Sequence, residues 1–468
     1  LNVKNIIGFA IGPIGTALLG VLTVPVIAWA FSPEDVGRLA LLQLVLSFSM
    51  LVLGLGLDQA YVREFHESRD RARLLKISFT PGFILLSIVA SVTIWRGDAL
   101  SKWIFGDLNY WYYSITIICI VATYISRFLS LILRMNGRGL AFSMSQIIPK
   151  ALQLLLLVGV VLLDFQKSFL ALLLIVMGSA LVVALVCAWN TRSQWILAIS
   201  AQASVREIRS LLHFGLPLVV SGLAYWGLTA TSALVLRSES TLGELGIYSV
   251  VSSFAAAAAI FQSIFSVIWA PTVYKWVANG VDLKRVDEVA RQALAAVCLI
   301  FCMIGSLSWL TDYLLPKHYS NIKYLLLCAI IPPLLYVLSE ITSIGIGISR
   351  RTTLAIWVTL AALIVNVLLS LWLVPANGAT GAVLANAAAY TVYFIGRTEA
   401  SAYVWRQFRR RRLYAVVGLI LFSAISTVVY SAALPAGFAF VWVILLLVSV
   451  WYFYAEFFGI YCMIIGNR

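Results

Sequence analysis

The sequence predicts an all-α, polytopic integral membrane protein of about fourteen transmembrane helices: two six-helix lobes around a central cavity, plus two C-terminal helices. Three observations predict this class. Of the 468 residues, 62% are hydrophobic and only 11% charged, and mean hydropathy is +0.98, whereas about a quarter of a soluble domain is charged. Apolar stretches of spanning length, roughly 20 residues each, follow one another with only short loops between them. The cations, 33 against 19 acids, alternate between rich and poor loops, the asymmetry that sets orientation in a membrane. A water-soluble enzyme is thereby excluded. The net charge of +14 is a topology signal before it is evidence for a nucleic-acid partner, and none is expected.

The first apolar stretch, at about 6–30, outruns a signal h-region and ends in the turn Ser32-Pro33-Glu34-Asp35. It is therefore expected to span and not to be a cleaved leader. The next stretches fall at about 38–60, 77–95, 110–133, 141–163 and 169–189, which complete one lobe. The second lobe follows at about 214–236, 244–268, 292–310, 322–348, 354–373 and 379–403, and the appended pair at about 414–433 and 437–462. The expected divisions are 1–205, 206–405 and 406–468. A repeated turn supports duplication: Asp35-Val36-Gly37 links the first two stretches, and Glu244-Leu245-Gly246 links the seventh and eighth. Two lobes related by an axis along the membrane normal fit that pattern.

An even number of spans puts both termini on one side. With that side cytoplasmic, 23 of the 33 cations lie inside, seven outside and three within the membrane. The run Arg409 to Arg412 then anchors topology beside anionic membrane lipid. The six cysteines, Cys119, Cys187, Cys298, Cys302, Cys328 and Cys462, lie in apolar runs without the spacing of a zinc site, so no metal is expected.

A charged group at bilayer depth costs at least ~2.5 to 3.5 kcal/mol unless it faces protein or water. Arg127, Lys150 and Arg397 are the three intramembrane cations, with Asp58, Glu340 and Glu399 as acids at similar depth. Helical spacing gathers polar residues onto faces. Gln146, Lys150 and Gln153 share one face of the fifth stretch, Asn386, Tyr390, Tyr393 and Arg397 one face of the twelfth, and Gln43, Ser47, Gly54 and Asp58 one stripe of the second. The seventh carries Ser221, Tyr225 and Ser232, and the eighth Tyr248, Ser252, Gln262 and Ser266. Polar faces on so many helices predict a wet cavity.

Arg127, Arg134 and Arg138 fall at i, i+7 and i+11, a basic stripe running from the cytoplasm toward Lys150. Guanidinium forks suit phosphate, while Gln, Asn and Tyr suit sugar hydroxyls. The expected ligand is an anionic, sugar-bearing molecule: its phosphate on Arg127, Lys150, Arg397, Arg134 and Arg138, its sugar on Gln146, Gln153, Asn386, Tyr390, Tyr393 and Gln43. Asp58, Arg63, Glu340 and Glu399 are candidates for a gate or for ion coupling. Pro13, Pro25, Pro149, Pro217, Pro271 and Pro332-Pro333 interrupt apolar helices and mark potential hinges. No G-x4-G-K-[ST] loop and no acidic or histidine cluster on a long loop occurs. ATP use, glycan polymerisation and acyl transfer are disfavoured, and no cofactor is expected.

LGLDQAYVREFHE at Leu55 to Glu67, with NIIGFAIGPIGTALLG and SPEDVGRLALLQ before it, resembles the Wzx-type O-antigen flippases of the polysaccharide transporter family. The Asn377-Gly378-Ala379-Thr380-Gly381-Ala382 turn resembles a G-x2-G-A feature of the wider superfamily, which also holds multidrug extrusion proteins and the lipid II flippase. Many such O-antigen flippases have twelve helices; a count of fourteen is similar to the lipid II flippase. The resemblance implies a secondary transporter that carries undecaprenyl-diphosphate-linked oligosaccharide from the cytoplasmic to the periplasmic leaflet of a bacterial inner membrane by alternating access, coupled to an ion gradient as an antiport, with H+ or Na+ as the ion. It implies an O-antigen polymerase and a chain-length regulator as partners. The rival on the same scaffold is a multidrug antiporter, which calls for an acidic, aromatic cavity.

Overall fold

The computed structural model describes residues 3–256, 258–280, 284–407, 410–431 and 438–456. Arg409, Arg468 and Cys462, and the side chains of Lys4 and Ser266, lie outside the described residues. The fold is all-helical among the described residues, and eleven helices are long and apolar enough to cross a membrane. The protein is a multi-pass membrane protein. It packs as two compact units, residues 1–227 and 228–468, and the division falls inside a single long helix.

The first unit holds α1 (Val3–Ala30), α2 (Pro33–Gly54), α3 (Leu57–Glu64), α4 (Arg71–Thr93), α5 (Gly97–Phe105), α6 (Tyr110–Met135), α7 (Gly139–Leu162), α8 (Phe169–Asn190), α9 (Arg192–Ser200) and the first part of α10 (Val205–Glu239). Local signals start these helices. Ser32 caps α2 by accepting from Asp35 N at 3.2 Å, with Pro33 and the acids Glu34 and Asp35 in the first turn, as the dipole and the free N–H groups of a helix start favour. Asp70 caps α4 and Asn109 caps α6 in the same way. α1 lies along α7, α6 along α8, and α7 also meets α8. The α1–α7 approach is close because Gly12 has no side chain: its N–H donates to Ser143 Oγ at 3.1 Å. The same α1 presents Leu18, Leu22 and Trp29 outward.

The second unit takes up the rest of α10, then α11 (Leu242–Ala255), α12 (Ala258–Ala278), α13 (Lys284–Leu307), α14 (Thr311–Leu314), α15 (Ile322–Ala329), α16 (Ile331–Thr342), α17 (Ile344–Ile348), α18 (Thr353–Val404), α19 (Arg411–Val429) and α20 (Phe438–Tyr452). α11 opens as α2 does, with Thr241 accepting from Glu244 N at 3.2 Å, so the repeated turn of the sequence is a repeated cap. The 52 residues of α18 are two helices in line, broken where Gly378 adopts φ 51° and ψ −129°, a conformation open to glycine. Glu244 accepts from Ala379 N at 2.7 Å and so caps the second of the two. Deep in this unit Asn366 is fully buried: it donates to Leu228 O at 2.8 Å and accepts from Ser232 at 3.2 Å and Ser370 at 3.1 Å.

Candidate functional site

The first unit encloses a cavity of about 570 Å³ whose polar lining includes Gln43, Ser47, Asp58, Gln59, Thr123, Ser126, Arg127, Ser145, Lys150, Gln153 and Ser179. Five of the residues expected to bind ligand or to gate, Gln43, Asp58, Arg127, Lys150 and Gln153, are therefore brought together there, with Ser47 of the same polar stripe.

Asp58 reaches the cavity because α2 stops short. Leu55 (φ 50°) and Gly56 (φ 68°) are consecutive left-handed residues, which end one helix and start α3 in a new direction. The break is fixed from outside: a Cβ on Gly56 would strike the Gly215 carbonyl, and one on Gly215 would lie 2.5 Å from the Leu55 carbonyl oxygen. Asp58 thus sits in the first turn of α3, only 7% exposed, at the end of a helix dipole that favours an acid.

Its partner is Arg127, on α6. Nη2 donates to Asp58 Oδ2 at 2.5 Å and Nε to the same oxygen at 3.2 Å, and the amide of Gln59 adds a third donor to Oδ2 at 3.3 Å. Oδ1 receives no donor among the described residues. The arginine side chain stays half exposed and lines the cavity, so its charge is paired without being sealed off. Sequence reading leaves Arg127 as a free cation and sets Asp58 beside Arg63. The structure instead turns Arg63 away, over the Phe214 ring at 4.4 Å and toward Glu64.

Lys150 enters from α7, next to Pro149. Proline removes one backbone donor, which leaves the Ser145 carbonyl without its helical N–H partner, and both Ser145 and Pro149 line the cavity. Lys150 Nζ donates to Gln153 Oε1 at 3.4 Å, Gln153 Nε2 to Ser179 Oγ at 3.0 Å, and Ser179 Oγ to Val176 O at 2.8 Å. Among the described residues no carboxylate comes within ion-pair distance of Lys150.

Other expected members lie elsewhere. Gln146 faces α1 at Gly12, and the cavity lining omits it. The basic stripe is interrupted: α6 ends at Met135, Gly137 turns with φ 71°, and Arg138 belongs to the next helix's start. Arg134 lies over the Phe142 ring at 5.9 Å and Arg138 donates to Asn190 O at 3.2 Å. What sequence reading missed is the rest of the α6 face, where Thr123, Ser126, Arg127 and Ser130 recur at helical spacing; the first three line the cavity.

The second unit groups Arg397, Glu340 and Tyr393. Arg397 Nη1 donates to Tyr393 OH at 2.8 Å and stands 3.9 Å from Glu340 Oε1, while its Nε is buried without an acceptor. Tyr336 stacks on Tyr393 with ring centroids 6.1 Å apart. Glu340 therefore has a cation as neighbour. Asn386 and Tyr390 lie in a separate, uncharged cavity of about 240 Å³ with Thr229, Tyr248, Ser252 and Gln262. Asn386 donates to Tyr248 OH at 3.3 Å and its Oδ1 is buried without a donor. Glu399 accepts from Tyr414 OH at 2.5 Å and pairs with Arg410 at 3.2 Å, in neither cavity.

Residues 2–276 match the model of the polysaccharide biosynthesis protein family. The chain belongs to that family. Its fold is similar to that of the lipid II flippase MurJ in an inward closed conformation, with a TM-score of 0.71 at 13% identity over 96% of this chain and 98% of that one. It is also similar to an inward-facing MATE family multidrug resistance transporter of the MOP superfamily, with a TM-score of 0.60 at 16% identity over 83% and 95% of the two chains. A third likeness, at TM-score 0.51 and 17% identity over 85% and 96%, is to a MOP superfamily transporter from Pyrococcus furiosus, described as having a binding pocket of reverse polarity. No curated protein matches the sequence. This member of the polysaccharide biosynthesis family thus has the fold of MOP superfamily transporters.

Proposed function

We propose that the protein is a flippase that moves undecaprenyl-diphosphate-linked O-antigen oligosaccharide from the cytoplasmic to the periplasmic leaflet of a bacterial inner membrane by alternating access. The observation that carries this reading is the pairing of cavity contents in the first unit: one arginine held by an acid and one lysine with no carboxylate within ion-pair distance among the described residues. A cation without a counter-ion at that depth costs several kcal/mol, and a diphosphate ligand offsets it. A cationic drug would meet repulsion at the same place, which argues against multidrug export. Family membership supports a role in polysaccharide biosynthesis.

In this reading Lys150 and Arg127 hold the diphosphate, Gln43 and Gln153 meet the first sugars, and Asn386 and Tyr390 supply a further polar surface for glycan. Arg134 and Arg138 act at the cytoplasmic edge as anchors and initial contacts, and Arg397 balances Glu340. Export of two negative charges from a cell-negative interior gains roughly 2.3 kcal/mol per charge per 100 mV, so the membrane potential assists, with H+ or Na+ as the coupling ion. The O-antigen polymerase and chain-length regulator take up the product on the far side.

The test is complementation of an O-antigen flippase-null strain. Lys150→Ala should abolish O-antigen display with the protein still in the membrane, and Lys150→Arg should restore part of it. Normal display by Lys150→Ala and by Arg127→Ala, or failure of the wild-type chain to complement, removes the reading.

A further inference from the structure

The second unit's cavity of about 240 Å³ has no charged group among the described residues that line it, yet two oxygens of its wall lack donors. One is Asn386 Oδ1, buried without a hydrogen-bond partner among the described residues while Nδ2 of the same amide donates to Tyr248 OH. The other comes from the backbone. α15 ends at Ala329, and Pro332 and Pro333, at the start of α16, stand three and four positions further on. A helical carbonyl takes its donor from one of those two positions, and proline has no N–H to give. The Ala329 carbonyl is thus left without a helical partner, and no other backbone donor reaches it among the described residues. Ala329, Pro332, Pro333 and Asn386 all line this one cavity.

Buried acceptors are unfavourable to leave unpaired, and a ligand that satisfies these two must bring N–H or O–H groups. A neutral sugar carries several on one ring. Volume sets the size: the cavity is smaller than the ~300–1,000 Å³ of sites for drug-sized ligands, which suits one ring and not a chain. Charge sets the type. A carboxylate would set oxygen against oxygen, and no cation among the described lining residues offsets it, so the cost of taking the anion out of water is not recovered. A monovalent cation would meet oxygens but no counter-charge in the same lining. We propose that this cavity is a monosaccharide site that selects by hydrogen-bond donors: it takes one neutral hexose or N-acetylhexosamine ring, with hydroxyl or amide N–H groups on Asn386 Oδ1 and the Ala329 carbonyl, and rejects a uronic acid. This rests on the glycan reading of the second unit and sharpens it from a polar surface to a filter for neutral sugar. Asn386 and Pro333 are its specificity-determining residues, Pro333 through the backbone oxygen it leaves free.

The experiment offers methyl glycosides of glucose, galactose, mannose, N-acetylglucosamine, N-acetylgalactosamine, glucuronic acid and galacturonic acid to the full chain in nanodiscs, followed by saturation-transfer NMR. These probes carry neither lipid nor phosphate, so the readout is separate from the first unit's diphosphate site. At least one neutral glycoside should bind, and neither uronic acid should displace it at about tenfold excess. Asn386→Leu and Pro333→Ala should each weaken that neutral sugar about threefold to tenfold, the worth of one hydrogen bond. Pro333→Ala gives the Ala329 carbonyl a donor back and should leave the unfolding temperature unchanged or raised, so that weaker binding there is not a loss of folding. Displacement of the neutral sugar by a uronic acid, neutral binding that requires Na+, wild-type affinity in Pro333→Ala, or no binding by any neutral glycoside overturns the proposal. Each of these results leaves the diphosphate site standing, whereas failure of the wild-type chain to complement a flippase-null strain removes the flippase reading itself.

Discussion

Asn366 shows how much a single side chain does in the second unit. Its amide donates to the Leu228 carbonyl of α10 and accepts from Ser232 and Ser370, with no water-accessible surface. Asn366→Ala should lower stability by about 0.5–2 kcal/mol, read as a fall in the unfolding temperature of the purified protein, and Asn366→Asp should cost more because it buries an unpaired charge. At this scale the sequence is partly legible. Lys150 and Gln153 meet as their i, i+3 spacing implies. Asp58 and Arg127 are 69 positions apart, and nothing in their spacing links them; their meeting depends on the break at Leu55 and Gly56 that places Asp58 in the first turn of α3. Glu340 looks free in sequence because Arg397 lies on a different helix.

Helices are legible where hydropathy speaks and less so at their ends. The apolar stretches fall on helices throughout the described residues, but α2 stops at Gly54 and not near 60, because Leu55 and Gly56 turn left-handed. Likewise the Asn136-Gly137 pair is a helix stop, a signal that separates Arg138 from α6. The α3 break depends on the contact with α10, which allows a direct check. Gly215→Ala puts a methyl 2.5 Å from the Leu55 carbonyl oxygen, so it should destabilise by about 1–3 kcal/mol and displace Asp58 from Arg127. Gly159→Ala on α7, where nothing lies within 4 Å of the added carbon, should leave the unfolding temperature unchanged or raised. Equal effects of the two substitutions contradict the close approach of α3 and α10.

For the whole molecule the outstanding expectation is orientation. Cytoplasmic termini place Arg69 and Arg350 inside and Lys102 and Lys317 outside. On a cysteine-free background, Lys102→Cys and Lys317→Cys should react with a membrane-impermeant maleimide on intact cells, and Arg69→Cys and Arg350→Cys only after lysis; the opposite pattern inverts the topology. The class of fold is legible from composition because spanning demands long apolar helices, whereas the cavities are not, since they depend on which helices meet. The α1 helix puts both demands on one element, with Gly12 toward α7 and Leu18, Leu22 and Trp29 outward. Lipid tails are as apolar as leucine and give those outward residues no reason to prefer protein. Their identity is therefore a matter of partition between solvents: exchanging one apolar residue there for another is neutral, while a polar one is penalised by the bilayer. The fit of α1 to the protein is decided by the small residue on its other side.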